Sequence, residues 1–233
     1  MDNSLILHQT TMKLDAFTLN DLYTWGAQLR LLVEALATLA FALSGVLAGA
    51  RKRLDVVGVC VVACLAAFGG GTVRDLLLDR RPFFWVAQHE LLWLVLIVSV
   101  LSMRLLRLRG RHHGLTERAI LWPDAVGLGL FTASGVHYAL VAQMPLLVAA
   151  LMGVITGMFG GVLRDMVCNE VPVSLRDHRP YALLSFLGGW IYIACQYLTD
   201  WAAWVAIFAC VFTTVGLRML ALWRDWRLPD WRA

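Results

Sequence analysis

Phe68-Gly69-Gly70-Gly71-Thr72-Val73-Arg74-Asp75 lies inside a long apolar run, and Phe159-Gly160-Gly161-Val162-Leu163-Arg164-Asp165 lies inside another about ninety residues later. Both stretches hold residues that a hydrocarbon-soluble helix accepts at a cost. Each glycine loosens a helix by roughly 1 kcal/mol relative to alanine. An ionisable side chain at membrane depth costs about 2.5–3.5 kcal/mol on insertion scales. A chain that takes on both, twice and in one register, marks these two places as its functional centre.

Working outward, the composition explains why the flanks are apolar. Of 233 residues, 60% are hydrophobic and 15% charged, too apolar for an ordinary soluble domain. Seven runs long enough to cross a bilayer fall at about 30–50, 55–78, 89–107, 121–141, 145–168, 180–199 and 201–223. The expected fold is therefore an all-α membrane protein of seven transmembrane helices. Pro145 and Pro180 suit first turns of helices, where a missing N–H costs nothing. Trp85, Trp93, Trp122, Trp201, Trp204, Trp223 and Trp226 mostly flank the runs and read as interface anchors.

Sliding the chain by 90 residues without a gap aligns the two centres and much around them. Ala35 falls on Ala125, Phe41 on Phe131, Ser44-Gly45-Val46 on Ser134-Gly135-Val136, Arg74-Asp75 on Arg164-Asp165, and Pro82 on Pro172. Glu34 falls on Asp124, acid on acid. Three spans per unit is an odd number, so the second unit enters the membrane from the opposite face. The expected layout is a polar segment 1–28 outside, an inverted pair of three-span repeats at 30–118 and 120–199, a seventh span at 201–223 outside the repeat, and a cytoplasmic tail at 224–233. Sites in such proteins lie near the midplane between the repeats.

The net charge is +4, and the basic residues are uneven. One side holds Lys13, Arg30, Arg80 and Arg81; the other holds fourteen, among them Arg51, Lys52, Arg53, Arg104, Arg107 and Arg218. The positive-inside rule places the N-terminus outside and the C-terminus in the cytoplasm. The first 28 residues lack a secretory signal's basic start, apolar core and cleavage site, and both Met1 and Met12 are compatible with the start of translation. The excess charge sits between spans, which excludes a nucleic-acid surface and makes the bilayer the expected partner.

Two readings of the glycines stay open. Ala63, Ala67 and Gly71 recur at helical spacing, as do Gly153, Gly157 and Gly161, a pattern that lets backbones pack closely. Alternatively, Gly69, Gly70, Gly71, Gly160 and Gly161 break or kink the second and fifth spans and free carbonyls for a passing cation. Ser44 and Ser134 either bond back to their own helix or line a pore. For the charges, neighbours on a helix point about 100° apart, so Arg74 is expected nearer Asp165 than Asp75, and Arg164 nearer Asp75. The other reading is that these pairs snorkel to the interface. Glu34 and Asp124, near span starts, are candidates for an acidic mouth that gathers cations.

No nucleophile elbow, metal-ligand helix or phosphate loop appears. The five cysteines lie in or beside apolar runs with no histidine or carboxylate at ligand spacing, so neither metal nor catalytic site nor bound cofactor is expected. His137 has Leu47 as its repeat mate, which argues against a shared role.

Seven spans, two three-span repeats and the GGG-x-x-RD motif with its GG-x-x-RD counterpart resemble the bacterial branch of the trimeric intracellular cation channel family, also labelled a glycine-transporter-like domain family. The resemblance covers residues 30–220. It implies a homotrimer in the cell inner membrane with one pore per protomer, passing monovalent cations, chiefly potassium, and second and fifth spans kinked at the glycines named above. The alternative is a secondary transporter for a small zwitterion such as glycine. The Lys-Glu-Val motif of the animal members has no counterpart here, so their regulation by phosphoinositides or calcium is not implied.

Overall fold

The structure, a computed structural model, describes residues 28–108, 117–176, 180–198 and 203–226. The N-terminal segment, Met12 and the tail beyond residue 226 lie outside them. Nine helices are seen among the described residues. α1 is Gln28–Arg51, α2 Val56–Leu77, α3 Phe84–Ala87, α4 Glu90–Leu108, α5 Glu117–Val141, α6 Leu146–Val167, α7 Val173–Arg176, α8 Tyr181–Leu198 and α9 Ala203–Trp223. Seven of them, all except α3 and α7, are long and apolar enough to cross a membrane, and they fall on the seven expected runs.

The ninety-residue offset carries into the backbone. α2 and α6 begin and end at positions ninety apart. The turns after α1 and α5 hold their left-handed residue at Arg53 and Gln143, and those after α2 and α6 at Asp79 and Asn169. Asp55 caps α2, its carboxylate accepting from the Gly58 N–H at 2.7 Å, which satisfies one of the donors that open a helix. Pro145 occupies the matching cap position of α6.

Small residues set how close the helices come. α1 crosses α2 at Gly45, where an added Cβ would lie 2.6 Å from the Ala63 Cα, and α5 crosses α6 at its mate Gly135, 2.9 Å from the Gly153 Cα. α2 crosses α6 at Gly70 and Gly160, where a Cβ would run into the Thr156 carbonyl and the Ala66 carbonyl respectively. Residue 70 opposite 156 and residue 66 opposite 160 make this crossing antiparallel. Phe41 and Phe131, also ninety apart, stack at 5.7 Å between ring centres and fill the core beside it.

The expected break does not occur. α2 and α6 are continuous helix through Gly69–Gly71 and Gly160–Gly161. Gly70 and Gly160 serve backbone approach between α2 and α6, while Gly69 and Gly71 make room for the Leu163 side chain and the Phe84 ring.

Candidate functional site

Two buried charge centres flank the Gly70–Gly160 crossing. In the first, Arg74 is fully buried on α2. Its Nη1 donates to Glu34 Oε1 on α1 at 2.7 Å and to Ser134 Oγ on α5 at 2.6 Å, and its Nε donates to Asp75 Oδ1 at 2.9 Å. Asp75 also accepts from Arg80 at 3.0 Å and from the Phe84 backbone N–H of α3 at 2.7 Å. In the second, Arg164 on α6 donates from Nη1 to Asp124 Oδ1 on α5 at 2.7 Å and from Nε to Asp165 Oδ1 at 2.8 Å, and it donates to Ser44 on α1. Asp165 accepts from the Val173 N–H of α7 at 3.0 Å. Each buried guanidinium thus has several anionic or polar partners, as low-dielectric burial demands.

This geometry corrects three expectations. Arg74 pairs with Asp75 and Glu34, and Arg164 with Asp165 and Asp124; neither reaches the other half's aspartate. The antiparallel crossing is the reason. On α6 the level of Arg74 is near residue 152, so Asp165 lies roughly 20 Å away at 1.5 Å per residue. The three-carbon arginine stem spans the 100° between neighbours and lets Nε fold back onto the adjacent carboxylate. Second, Glu34 and Asp124 form no open mouth: both are buried and consumed as counter-ions. Third, Arg218, counted above among the cytoplasmic basic residues, is buried on α9 with its guanidinium over the Tyr181 ring at 4.4 Å.

Ser44 and Ser134 accept from the arginines of the opposite half, so their hydroxyls join the two halves at the charge centres. Back-bonding to the helix is done instead by threonines, Thr72 to the Phe68 carbonyl and Thr156 to the Met152 carbonyl, each at or below 2.7 Å.

Several partners have no repeat mate and left no signal in the alignment. Tyr181 donates its hydroxyl to Asp124 Oδ2 at 2.8 Å. Tyr138 lies under two guanidiniums, Arg80 at 3.7 Å and Arg74 at 4.5 Å, a cation–π arrangement that desolvation strengthens. The position matching Arg80 is Glu170, of opposite sign, and it accepts from Arg51 at 3.1 Å and Lys52 at 2.8 Å.

A cavity reaches each centre. One, lined by Arg51, Lys52, Asp124, Arg164, Cys168 and Glu170 among others, opens on the second centre. The other, lined by Arg30, Ser134, His137 and Tyr138 among others, lies beside the first and reaches it only at Ser134 and Tyr138. Beside the former, burial and the Asp165 carboxylate push the Cys168 thiol above its ordinary range. Among the described residues no cluster of histidine, cysteine and carboxylates could hold a metal.

Seven apolar helices enclosing two arginine–carboxylate centres define a polytopic membrane protein with a polar interior. The family model described as glycine transporter matches the chain twice, at residues 31–107 and 121–197. A UPF0126 membrane protein of Vibrio cholerae is 37% identical over 85% of this chain and 81% of its own length. The UPF0126 inner membrane protein YadS of Escherichia coli is 35% identical over 84% of this chain and 93% of its own. Among solved structures, the trimeric intracellular cation channel orthologue from Rhodobacter sphaeroides superposes with a TM-score of 0.77 at 31% identity, covering 85% of this chain and 99% of that one. A prokaryotic channel of the same kind, solved in 0.5 M KCl, gives 0.76 at 27% identity, covering 87% and 100%. The chain belongs to this family, the bacterial trimeric intracellular cation channels that share the glycine-transporter domain.

Proposed function

We propose that the chain is a cation channel of the bacterial cytoplasmic membrane, built as a homotrimer with one potassium-conducting pore in each protomer. The observation that carries this reading is the pair of cavities, one ending on the Arg164–Asp124 centre and one reaching Ser134 and Tyr138 beside the Arg74 centre, together with the Gly70–Gly160 crossing of α2 and α6. Conduction then requires the two centres to part from Ser134 and Ser44, and the side-chain-free crossing is where α2 and α6 can tilt without a steric penalty. Gating by such a tilt replaces gating by a helix break. The antiparallel crossing and the double family match support the inverted arrangement of repeats at 30–118 and 120–199, with the seventh span at 201–223 outside it. The basic asymmetry supports an N-terminus outside and a C-terminus in the cytoplasm.

A second reading, carriage of a small zwitterion such as glycine, takes its support from the description of the matching family. Single-channel recording of the purified chain in planar bilayers separates the two. Ohmic steps with a reversal potential set by the potassium gradient support the channel. Saturable glycine uptake with no steps would replace it with the carrier.

A further inference from the structure

A third cavity, of about 290 Å³, lies between the turn after α1, the start of α2 and the last two turns of α4. Its walls are Ala50, Leu54, Val56, Val59, Met103 and Leu106, and its charged lining residues are Arg53 and Arg107. The C-terminal ends of α1 and α4 meet here, so the cavity opens where a spanning helix leaves hydrocarbon for headgroups. Among the described residues neither Arg53 nor Arg107 makes an ion pair, although Arg51 and Lys52 alongside are both held by Glu170.

The placement of these two arginines is not explained by the turn or the repeat. Arg53 stands in the left-handed region, φ 58°, where glycine is the cheaper residue. Its repeat mate Gln143 makes the same turn without a charge. The mate of Arg107 is Tyr197. The helix dipole favours a cation at the end of α4 and the positive-inside bias favours basic residues on this side, but neither accounts for two guanidiniums lining one apolar-walled cavity. α4 is also the least covered of the long helices, with 22% of its span buried, so its flank is free to meet lipid.

We propose that this cavity is a binding site for an anionic phospholipid. Its phosphodiester takes the two guanidiniums, whose planar donor forks suit phosphate oxygens, and the start of an acyl chain lies along Val56, Val59, Met103 and Leu106. The apolar wall selects a lipid over a free anion, and the charge selects an anionic over a zwitterionic headgroup. The site stands whether or not the chain conducts ions.

The test is native mass spectrometry of the full-length chain in mild non-ionic detergent, titrated with phosphatidylglycerol or phosphatidylcholine, with inorganic phosphate in a parallel arm. Phosphatidylglycerol is expected to stay bound at about thirtyfold lower concentration than phosphatidylcholine, from the attraction of two arginines to an anionic headgroup. The double variant R53Q/R107Q, both positions exposed and tolerant of change, abolishes that preference. Ala50→Phe, which fills the apolar wall and keeps both charges, weakens the lipid and leaves phosphate unaffected. The proposal is overturned if R53Q/R107Q keeps the preference, if both lipids bind alike to the wild type, or if millimolar phosphate displaces the lipid while Ala50→Phe has no effect.

Discussion

Arg74 on α2 donates to Ser134 on α5 at 2.6 Å, so the charge centre of one half is completed by a hydroxyl from the other. Arg164 and Ser44 repeat the relationship in reverse. Replacing either serine by alanine keeps every ion pair and removes one charged hydrogen bond between the halves. We predict that Ser134→Ala and Ser44→Ala each lower stability by about 1.5–3 kcal/mol, the worth of a hydrogen bond to a charged group. Both are also expected to raise the open fraction in single-channel records. Unchanged gating in both variants would separate the serines from the pore.

The counter-ions can be told apart by double-mutant cycles. Arg74→Gln alone leaves Glu34 buried without its cation, a loss of about 3–5 kcal/mol. Combining it with Glu34→Gln is expected to cost clearly less than the two single losses together. Combining Arg74→Gln with Asp165→Asn is expected to be additive within about 0.5 kcal/mol, because the two residues lie at opposite ends of the crossing. Denaturation in detergent gives both cycles, and coupling confined to the second pair would reject the assigned partners.

Glycines on α2 and on α9 make a controlled comparison. Gly70→Ala puts a methyl group into the Thr156 carbonyl, so the helices must separate, at about 1–3 kcal/mol. Gly216 on α9 has nothing within 4 Å of an added Cβ, and Gly216→Ala is expected to be neutral or to stabilise by up to roughly 1 kcal/mol through helix propensity. Melting temperatures of the two variants should therefore move in opposite directions or differ plainly in size.

Cys168 reports on the cavity that Glu170 also lines. Its raised thiol pKa means less thiolate at a given pH, so maleimide labelling is expected to be slow near pH 7.5 and to speed up only above the ordinary thiol range. Glu170→Gln removes one negative neighbour and releases Arg51 and Lys52, which both lowers that pKa and opens the cavity. Labelling of Cys168, followed by peptide mass spectrometry, should accelerate in the variant. Equal rates would mean that the ion bridge does not guard the cavity.

The sequence was most legible where the two halves repeat. Glu34 with Asp124, Ser44 with Ser134 and the two Arg-Asp steps were all identified as equivalent positions, and each pair occupies matching surroundings. An alignment of equivalents does not say in which direction two helices cross, and the misplaced Arg74–Asp165 partnership follows from that alone. α3 and α7 leave no periodic signal, because four residues are too few to show one; Pro82 and Pro172 are their one trace. Tyr138, Tyr181, Arg80 and Arg218 had no mates, and tertiary packing alone brings them to the charges.

Two guanidiniums and two carboxylates meet in the first centre: Arg74 and Arg80 against Glu34 and Asp75. Its formal charge is zero. A membrane potential delivers about 2.3 kcal/mol per elementary charge for each 100 mV crossed, and on this group moving as a body it delivers nothing. An electric field can work only on its parts, drawing Arg80, the one member with a side chain partly open to solvent, away from Asp75. Any voltage sensitivity of this centre is thereby concentrated in a single side chain rather than in the travel of a charged group.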